Sequence, residues 1–183
     1  MPGNTLRSPA VILITGIMAA GKSTVAEELA RRLPRSVHLR GDVFRRMIVN
    51  GRAEMTPDTE AEAVHQLHLR YTLAANAADS YFDAGFTVVL QDVVLGPDLA
   101  DMVDRIRSRP LLIVVLAPRP EVVAVREQAR SKTGYGDWTP HQLDAGLRTE
   151  TPRLGLWLDN SDQTPTETVD EILTRAWTEA VVG

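Results

Sequence analysis

The stretch Gly16-Ile17-Met18-Ala19-Ala20-Gly21-Lys22-Ser23 decides how the rest of this sequence is interpreted. It fits the pattern G-x-x-x-x-G-K-[ST], in which the backbone N–H groups of a loop surround phosphate groups. An apolar run at residues 10–15 precedes it, and apolar residues at helical spacing follow over 22–33. This is the strand–loop–helix context that the motif requires, so the sequence predicts a phosphate-binding P-loop.

Each position of the loop has an expected task. The two glycines permit a tight path and a close approach to phosphate, Lys22 is expected to reach the β- and γ-phosphates, and the Ser23 hydroxyl to bind Mg²⁺. Lys22 is one of only two lysines in the chain, which favours this interpretation over a glycine-rich turn with an incidental lysine. The predicted ATP-binding positions of the loop are Gly16, Ala19, Ala20, Gly21, Lys22, Ser23 and Thr24.

Composition narrows the class of protein. The chain has 183 residues, 44% hydrophobic and 24% charged residues, a net charge of −4 and no cysteine. Such values are typical of a globular protein, and we expect a single domain over 10–183 after a short disordered lead at 1–9. The acidic net charge gives no reason to expect nucleic acid as a partner. Without an 18-residue apolar run or a signal-peptide pattern, we expect no membrane partner and a cytoplasmic location.

Apolar runs alternate with helical patterns along the whole chain. The runs at 10–15, 36–40, 86–90, 111–116 and 156–159 predict five strands of a parallel sheet with helices on both faces. Thr56 is expected to cap a long helix that has Pro57 in its first turn. A capping box at Thr164–Glu167 predicts the start of a last helix that ends at about Val181.

Two aspartates are expected to lie in one crevice with the P-loop, because ligands bind beyond the carboxyl ends of parallel strands. Asp42 follows the second strand and Asp92 follows the third. We predict that Asp42 is the base that accepts a hydroxyl proton, and that Asp92 belongs to the metal shell or binds the acceptor. Each aspartate could instead cap the helix that follows it. Arg45, one turn after Asp42, is predicted to face the acceptor.

A second cationic cluster follows the fourth strand. Arg126 and Arg130 share one helix face at i and i+4, and Lys132 continues into the polar loop at 131–139. We predict a lid at about 126–140 that closes these cations over the phosphates. The alternative is a solvated basic helix end. His65 and His68, at i and i+3, have no third ligand with suitable spacing for a metal.

These motifs together resemble the small P-loop kinases, such as shikimate, gluconate and adenylylsulfate kinases. The likeness is strongest to chloramphenicol phosphotransferase-like antibiotic kinases, and it covers residues 10–180. The resemblance implies a three-layer α/β/α P-loop fold with strand order 2-3-1-4-5. It also implies that Asp42 is the catalytic base and that Arg130 or Lys132 contacts the phosphates of ATP. At the other end of the nucleotide, it implies that Arg126 packs near the adenine and that Asn160 and Ser161 lie beside the adenine base. The lid sequences usual in these kinases are absent, since Arg130 is followed by Ser131-Lys132-Thr133.

The leading hypothesis is a kinase that uses ATP and Mg²⁺ to phosphorylate a hydroxyl of a small molecule, including an antibiotic. The alternatives are a nucleoside or nucleotide kinase and a nucleotide-binding switch that is not a kinase. No Asn-Lys-x-Asp guanine motif occurs in the sequence, and Asp92 is followed by Val93 and not by glutamate, which disfavours a GTPase and an ATPase module. The oligomeric state is expected to be a monomer or a homodimer.

Overall fold

The computed structural model describes residues 9–58, 61–129 and 138–183. Strands and helices alternate along the chain. The strands are β1 (Val11–Thr15), β2 (Ser36–Arg40), β3 (Thr87–Gln91), β4 (Leu111–Leu116), β5 (Leu156–Leu158) and β6 (Val181–Val182). The helices are α1 (Lys22–Arg32), α2 (Asp42–Arg46), α3 (Ala61–Asp83), α4 (Asp98–Arg105), α5 (Pro120–Gln128), α6 (Pro140–Glu150) and α7 (Pro165–Glu179).

Five parallel strands form the sheet in the order β2-β3-β1-β4-β5. Every residue of β1, β3 and β4 is buried, as expected for strands that are covered on both faces of a parallel sheet. Helix α1 packs against α7, and α3 packs against α4. The predicted three-layer fold and its strand order are confirmed.

A sixth strand was not predicted. Helix α7 ends at Glu179, and residues 181–182 then run antiparallel to the first half of β4. The backbone N–H of Ile113 also bonds to the carbonyl of Ala180 at 2.8 Å. The last helix therefore ends two residues before the predicted end at about Val181, and the strand was missed because two residues are too few to show a periodicity.

The start of the long helix also differs from the prediction. Pro57 and Asp58 form a turn, so α3 does not have Pro57 in its first turn. Proline and aspartate are as typical of turns as of helix starts. The capping box at the start of α7 is confirmed, since the Thr164 hydroxyl accepts the Glu167 N–H and the Glu167 carboxylate accepts the Thr164 N–H.

The strand register places the candidate site at one edge of the sheet. Arg40 of β2 pairs with Gln91 of β3, and Gln91 pairs with Ile14 of β1, which in turn pairs with Val114 of β4. The residues that follow this row are therefore neighbours beyond the carboxyl ends of the strands. Among the described residues, no helix is both long and apolar enough to span a membrane.

Candidate functional site

The loop between β1 and α1 has the backbone shape of a phosphate-binding nest. Gly16, Ala19 and Gly21 have φ angles of 146°, 61° and 99°, and such alternation of backbone conformation turns successive N–H groups inward. At Gly16 an added Cβ would lie 2.4 Å from the carbonyl oxygen of Leu116. The loop thus requires glycine there for space as well as for its positive φ.

Lys22 lies in the first turn of α1 with its side chain along the loop. The residue is 8% exposed, and its Nζ donates a hydrogen bond of 2.7 Å to the carbonyl oxygen of Ile17. The ammonium group is therefore held at the loop. Ser23 and Thr24 follow in the same turn and are exposed, so their hydroxyls are accessible at the amino end of α1.

Two side chains from distant segments converge on the P-loop. Arg126 of α5 donates to the carbonyl oxygens of Ala20 at 3.3 Å and Asn160 at 3.0 Å, and the Asn160 amide donates to Ala20 at 3.0 Å. Asn160 is 3% exposed, and its Oδ1 has no hydrogen-bond partner among the described residues. A buried acceptor without a partner is costly. This acceptor lies beside the P-loop, where the amide of the same side chain contacts Ala20.

The segment that carries Asn160 is fixed to the start of α5. The backbone N–H of Arg119 bonds to the Ser161 hydroxyl at 2.7 Å, and its guanidinium donates to both carboxylate oxygens of Asp162 at 2.9 and 2.8 Å. These hydrogen bonds lower the pKa of Asp162. No local sequence pattern indicates this pair, which joins residues 43 positions apart.

Asp42 begins α2, and Gly41 alone separates it from the end of β2. Its carboxylate contacts the Arg46 guanidinium, and Arg40 Nε lies 3.9 Å from its Oδ1. Within the described residues, the Asp42 carboxylate makes no hydrogen bond to the backbone of α2. The alternative that Asp42 serves as a helix cap therefore finds no support in the structure.

Asp92 follows β3 and forms a buried ion pair that the sequence did not predict. Its side chain is 0% exposed, and Arg70 of α3 donates from Nε to Oδ2 at 2.8 Å and contacts Oδ1 through Nη2. The backbone N–H of Val93 also donates to Oδ1 at 2.7 Å. Both carboxylate oxygens are thus occupied. Burial is the main cause that lowers the pKa of Arg70.

Gly41 precedes Asp42 in the chain and lies against the side chain of Asp92. We therefore expect the stability of the protein to be sensitive to substitution at this position. Its φ of −61° suits any residue, but an added Cβ would lie 2.0 Å from Asp92 Oδ2. We expect Gly41→Ala to destabilise the protein by about 1–3 kcal/mol, as overpacking does, because it pushes Asp92 away from Arg70. Denaturant unfolding measures this effect.

The matched control for this substitution is Gly146→Ala. Gly146 lies inside α6, where an added Cβ meets nothing within 4 Å, so alanine there should stabilise the helix by about 0.5–1 kcal/mol. Equal stability of the two variants would contradict the close approach of Gly41 to Asp92.

The remaining predicted residues are distributed as follows. Arg45 contacts Glu54 and not Asp42. His68 lies 3.2 Å from Asp98, and His65 is 85% exposed. In the described parts of the chain, no group of three or more His, Asp or Glu residues could hold a metal. Arg130, Lys132 and most of the predicted lid lie outside the described residues.

Comparison with known proteins identifies the family and the fold of this chain. A family model described as AAA domain matches residues 11–152. The chain belongs to this AAA-domain family. A search of curated protein sequences finds no match.

Several solved structures share the fold of this AAA domain. An unliganded sugar kinase from Janibacter sp. is 19% identical, with a TM-score of 0.66, over 91% of this chain and 93% of that one. The APS kinase of Mycobacterium tuberculosis in complex with AMPPNP and APS is 16% identical, with a TM-score of 0.66, over 91% and 96%. The tunicamycin resistance protein of Deinococcus radiodurans is 16% identical, with a TM-score of 0.65, over 97% and 99%. The resemblance to small P-loop kinases is thus confirmed for the fold.

Proposed function

We propose that this protein transfers the γ-phosphate of ATP, in the presence of Mg²⁺, to a hydroxyl group of a small molecule. The observation that carries the proposal is the convergence of Arg126 and Asn160 on Ala20 of the P-loop. The guanidinium group of Arg126 thereby adds a second positive charge to the nucleotide site, beside that of Lys22. The register of β2, β3 and β1 brings Asp42 to the same edge of the sheet, where a base is needed.

The residues present fit ATP with its metal ion. The nest formed by the positive φ angles of the loop suits the β-phosphate, and the dipole of α1 favours negative charge at its amino end. Ser23 is the residue that would hold Mg²⁺, and the ion would neutralise charge on the phosphates. Asn160 Oδ1, which is buried and has no partner among the described residues, suits an amino or hydroxyl donor of the nucleoside.

The transfer itself uses the two aspartates differently. The hydroxyl oxygen of the acceptor bonds to the γ-phosphorus while Asp42 accepts the proton of that hydroxyl. ADP leaves with the electrons of the broken phosphoanhydride bond. Lys22 and Arg126 stabilise the charge that develops on the phosphoryl oxygens. Asp92 binds Arg70 with both oxygens, so we propose that it acts at the acceptor end through Arg70. If Asp92 bound Mg²⁺ directly, its ion pair with Arg70 would first have to break.

A coupled assay for ADP release tests the proposed activity. The panel should contain sugars, hydroxy acids, nucleosides and hydroxyl-bearing antibiotics, since the structural neighbours include a sugar kinase and a tunicamycin resistance protein. We expect ADP release that depends on one class of acceptor, with a phosphorylated product visible by ³¹P NMR. Tight ATP binding without ADP release for any acceptor would favour the nucleotide-binding switch. The cytoplasmic location that we propose agrees with a need for ATP.

Arg126 provides a specific prediction for the nucleotide end. We expect Arg126→Ala to raise the KM for ATP about 10-fold or more, because charge-assisted hydrogen bonds are worth about 1.5–3 kcal/mol and Arg126 orders both Ala20 and Asn160. Steady-state kinetics with ATP as the varied substrate measures it. The control is Arg31→Ala on the exposed surface of α1, where Arg31 pairs only with Glu27 among the described residues. An equal KM for both variants would place Arg126 outside the site.

A further inference from the structure

Arginines dominate the acceptor end of the site. In the described parts of the chain, five guanidinium groups share three carboxylates there, which leaves an excess of two positive charges. We call this group the arginine cluster. Its members are Arg40, Arg45, Arg46, Arg52 and Arg70, and its carboxylates are Asp42, Glu54 and Asp92.

The arginines lie close enough to act on one another. Burial is the largest cause that lowers the pKa of Arg45, and the positive charges of Arg52 and Arg46 lower it further. The pKa of Arg70 is lowered mainly by burial, and Arg45 and Arg46 contribute to the same shift. Like charges that are held together in this way attract an anion.

Glu54 differs from the two aspartates in its position. Asp42 and Asp92 follow strands of the sheet, whereas Glu54 belongs to the loop between α2 and α3. Its carboxylate contacts Arg45 and lies 3.4 Å from Arg52 Nε, yet its side chain is 57% exposed. The Glu54 carboxylate therefore reaches the arginine cluster from the solvent-exposed side, which is also the side from which a carboxylate of a ligand would enter.

The loop that carries Glu54 is tied to α3 beside this cluster. Gln66 accepts the N–H of Ala53 at 2.9 Å and donates to the carbonyl oxygen of Gly51 at 2.8 Å. Arg70 lies one turn further along the same face of α3. The backbone at 51–53 is thus fixed, while the Glu54 side chain can rotate away from Arg45.

We propose that Glu54 occupies an anion subsite in the absence of the acceptor, and that a carboxylate, sulfate or phosphate group of the acceptor replaces it on Arg45 and Arg52. This inference rests on the proposed function, because it takes the arginine cluster as the acceptor end of a kinase site. An anionic acceptor exchanges one ion pair for another, whereas a neutral acceptor leaves Glu54 in place. The arginines thereby favour anionic acceptors, whereas Glu54 lowers the affinity of the subsite for every anion, so that an anion without further contacts in the site binds weakly.

Inorganic sulfate is the probe, and isothermal titration calorimetry measures its Kd. The P-loop is first saturated with Mg²⁺ and AMPPNP, and a separate titration verifies this, so that sulfate cannot bind there. We expect Glu54→Gln to bind sulfate about 10-fold more tightly than the wild type, because the internal competitor is gone. Arg45→Gln and Arg52→Gln should each bind it about 10-fold more weakly.

Asp104→Asn on α4 is the matched control, since Asp104 is exposed and the substitution changes the net charge by the same amount. It should leave the Kd of sulfate unchanged, and thermal unfolding should find all four variants folded. The same Kd for the wild type and Glu54→Gln would overturn the proposal. An equal gain in Glu54→Gln and Asp104→Asn would also overturn it, because net charge alone would then explain the effect.

The ADP-release assay separates this proposal from the proposed kinase activity. Gluconate and its neutral amide are two acceptors that differ in one charge, and other hydroxy acids can be paired in the same way. The expected ranking of sulfate affinities without transfer to any acceptor would remove the kinase proposal and keep the anion subsite. Transfer to neutral acceptors with unchanged sulfate affinities would keep the kinase and remove the subsite.

Discussion

Replacing Lys22 by alanine should reduce kcat/KM by at least about 10³-fold while the protein stays folded, because the P-loop ammonium group stabilises the charge of the transferred phosphoryl group. The side chain is held against the loop by its bond to the Ile17 carbonyl, so little reorganisation is needed when phosphate binds. Loss of the hydrogen bond to Ile17 should by itself cost about 1 kcal/mol of stability. Initial rates of ADP release and a thermal unfolding curve measure the two effects.

Lys22→Met is the matched control, because it retains most of the apolar stem and removes the charge together with the hydrogen bond to Ile17. Both variants should lose phosphoryl transfer, but the methionine variant should unfold at the higher temperature, since Lys22 is mostly buried and truncation to alanine leaves a cavity. Transfer by Lys22→Met at the wild-type rate would show that the ammonium group does not act on the phosphates. Unfolding of both variants at room temperature would instead make Lys22 a residue required for folding.

The fold could be predicted from the sequence because its signals are local. A continuous apolar strand, a glycine-containing loop and an amphipathic helix each depend on a few consecutive residues. The same is true of the capping box that starts α7, where Thr164 and Glu167 are three positions apart. Strand order then follows once the resemblance to small P-loop kinases is accepted.

The acceptor end depends on contacts between distant residues, which leave no local pattern in the sequence. Arg70 lies 22 positions from its partner Asp92, on the long helix α3. The path of the chain also decides that Gly41 lies against the Asp92 carboxylate, so no run of neighbouring residues could reveal that contact.

Replacing Asp42 by asparagine should lower kcat about 10²–10⁴-fold, because asparagine cannot accept the hydroxyl proton. The affinity for ATP should change little, since the described contacts of Asp42 are with Arg40 and Arg46 and not with the P-loop. Asparagine has the same shape and can still accept a hydrogen bond from Arg46. The loss should therefore appear in single-turnover phosphoryl transfer, with ATP binding measured separately by titration.

Asp98→Asn controls for the general effect of a carboxylate in the first turn of a helix. Asp98 begins α4 as Asp42 begins α2, so both substitutions remove one favourable charge from a helix amino terminus, which is worth about 0.3–1 kcal/mol. If the rate falls equally in both variants, helix electrostatics explain the loss. If only Asp42→Asn loses transfer but its ATP affinity collapses too, Asp42 serves the nucleotide and its metal ion. A loss confined to transfer identifies Asp42 as the base, because Asp92, the carboxylate that follows the adjacent strand β3, is fully buried against Arg70.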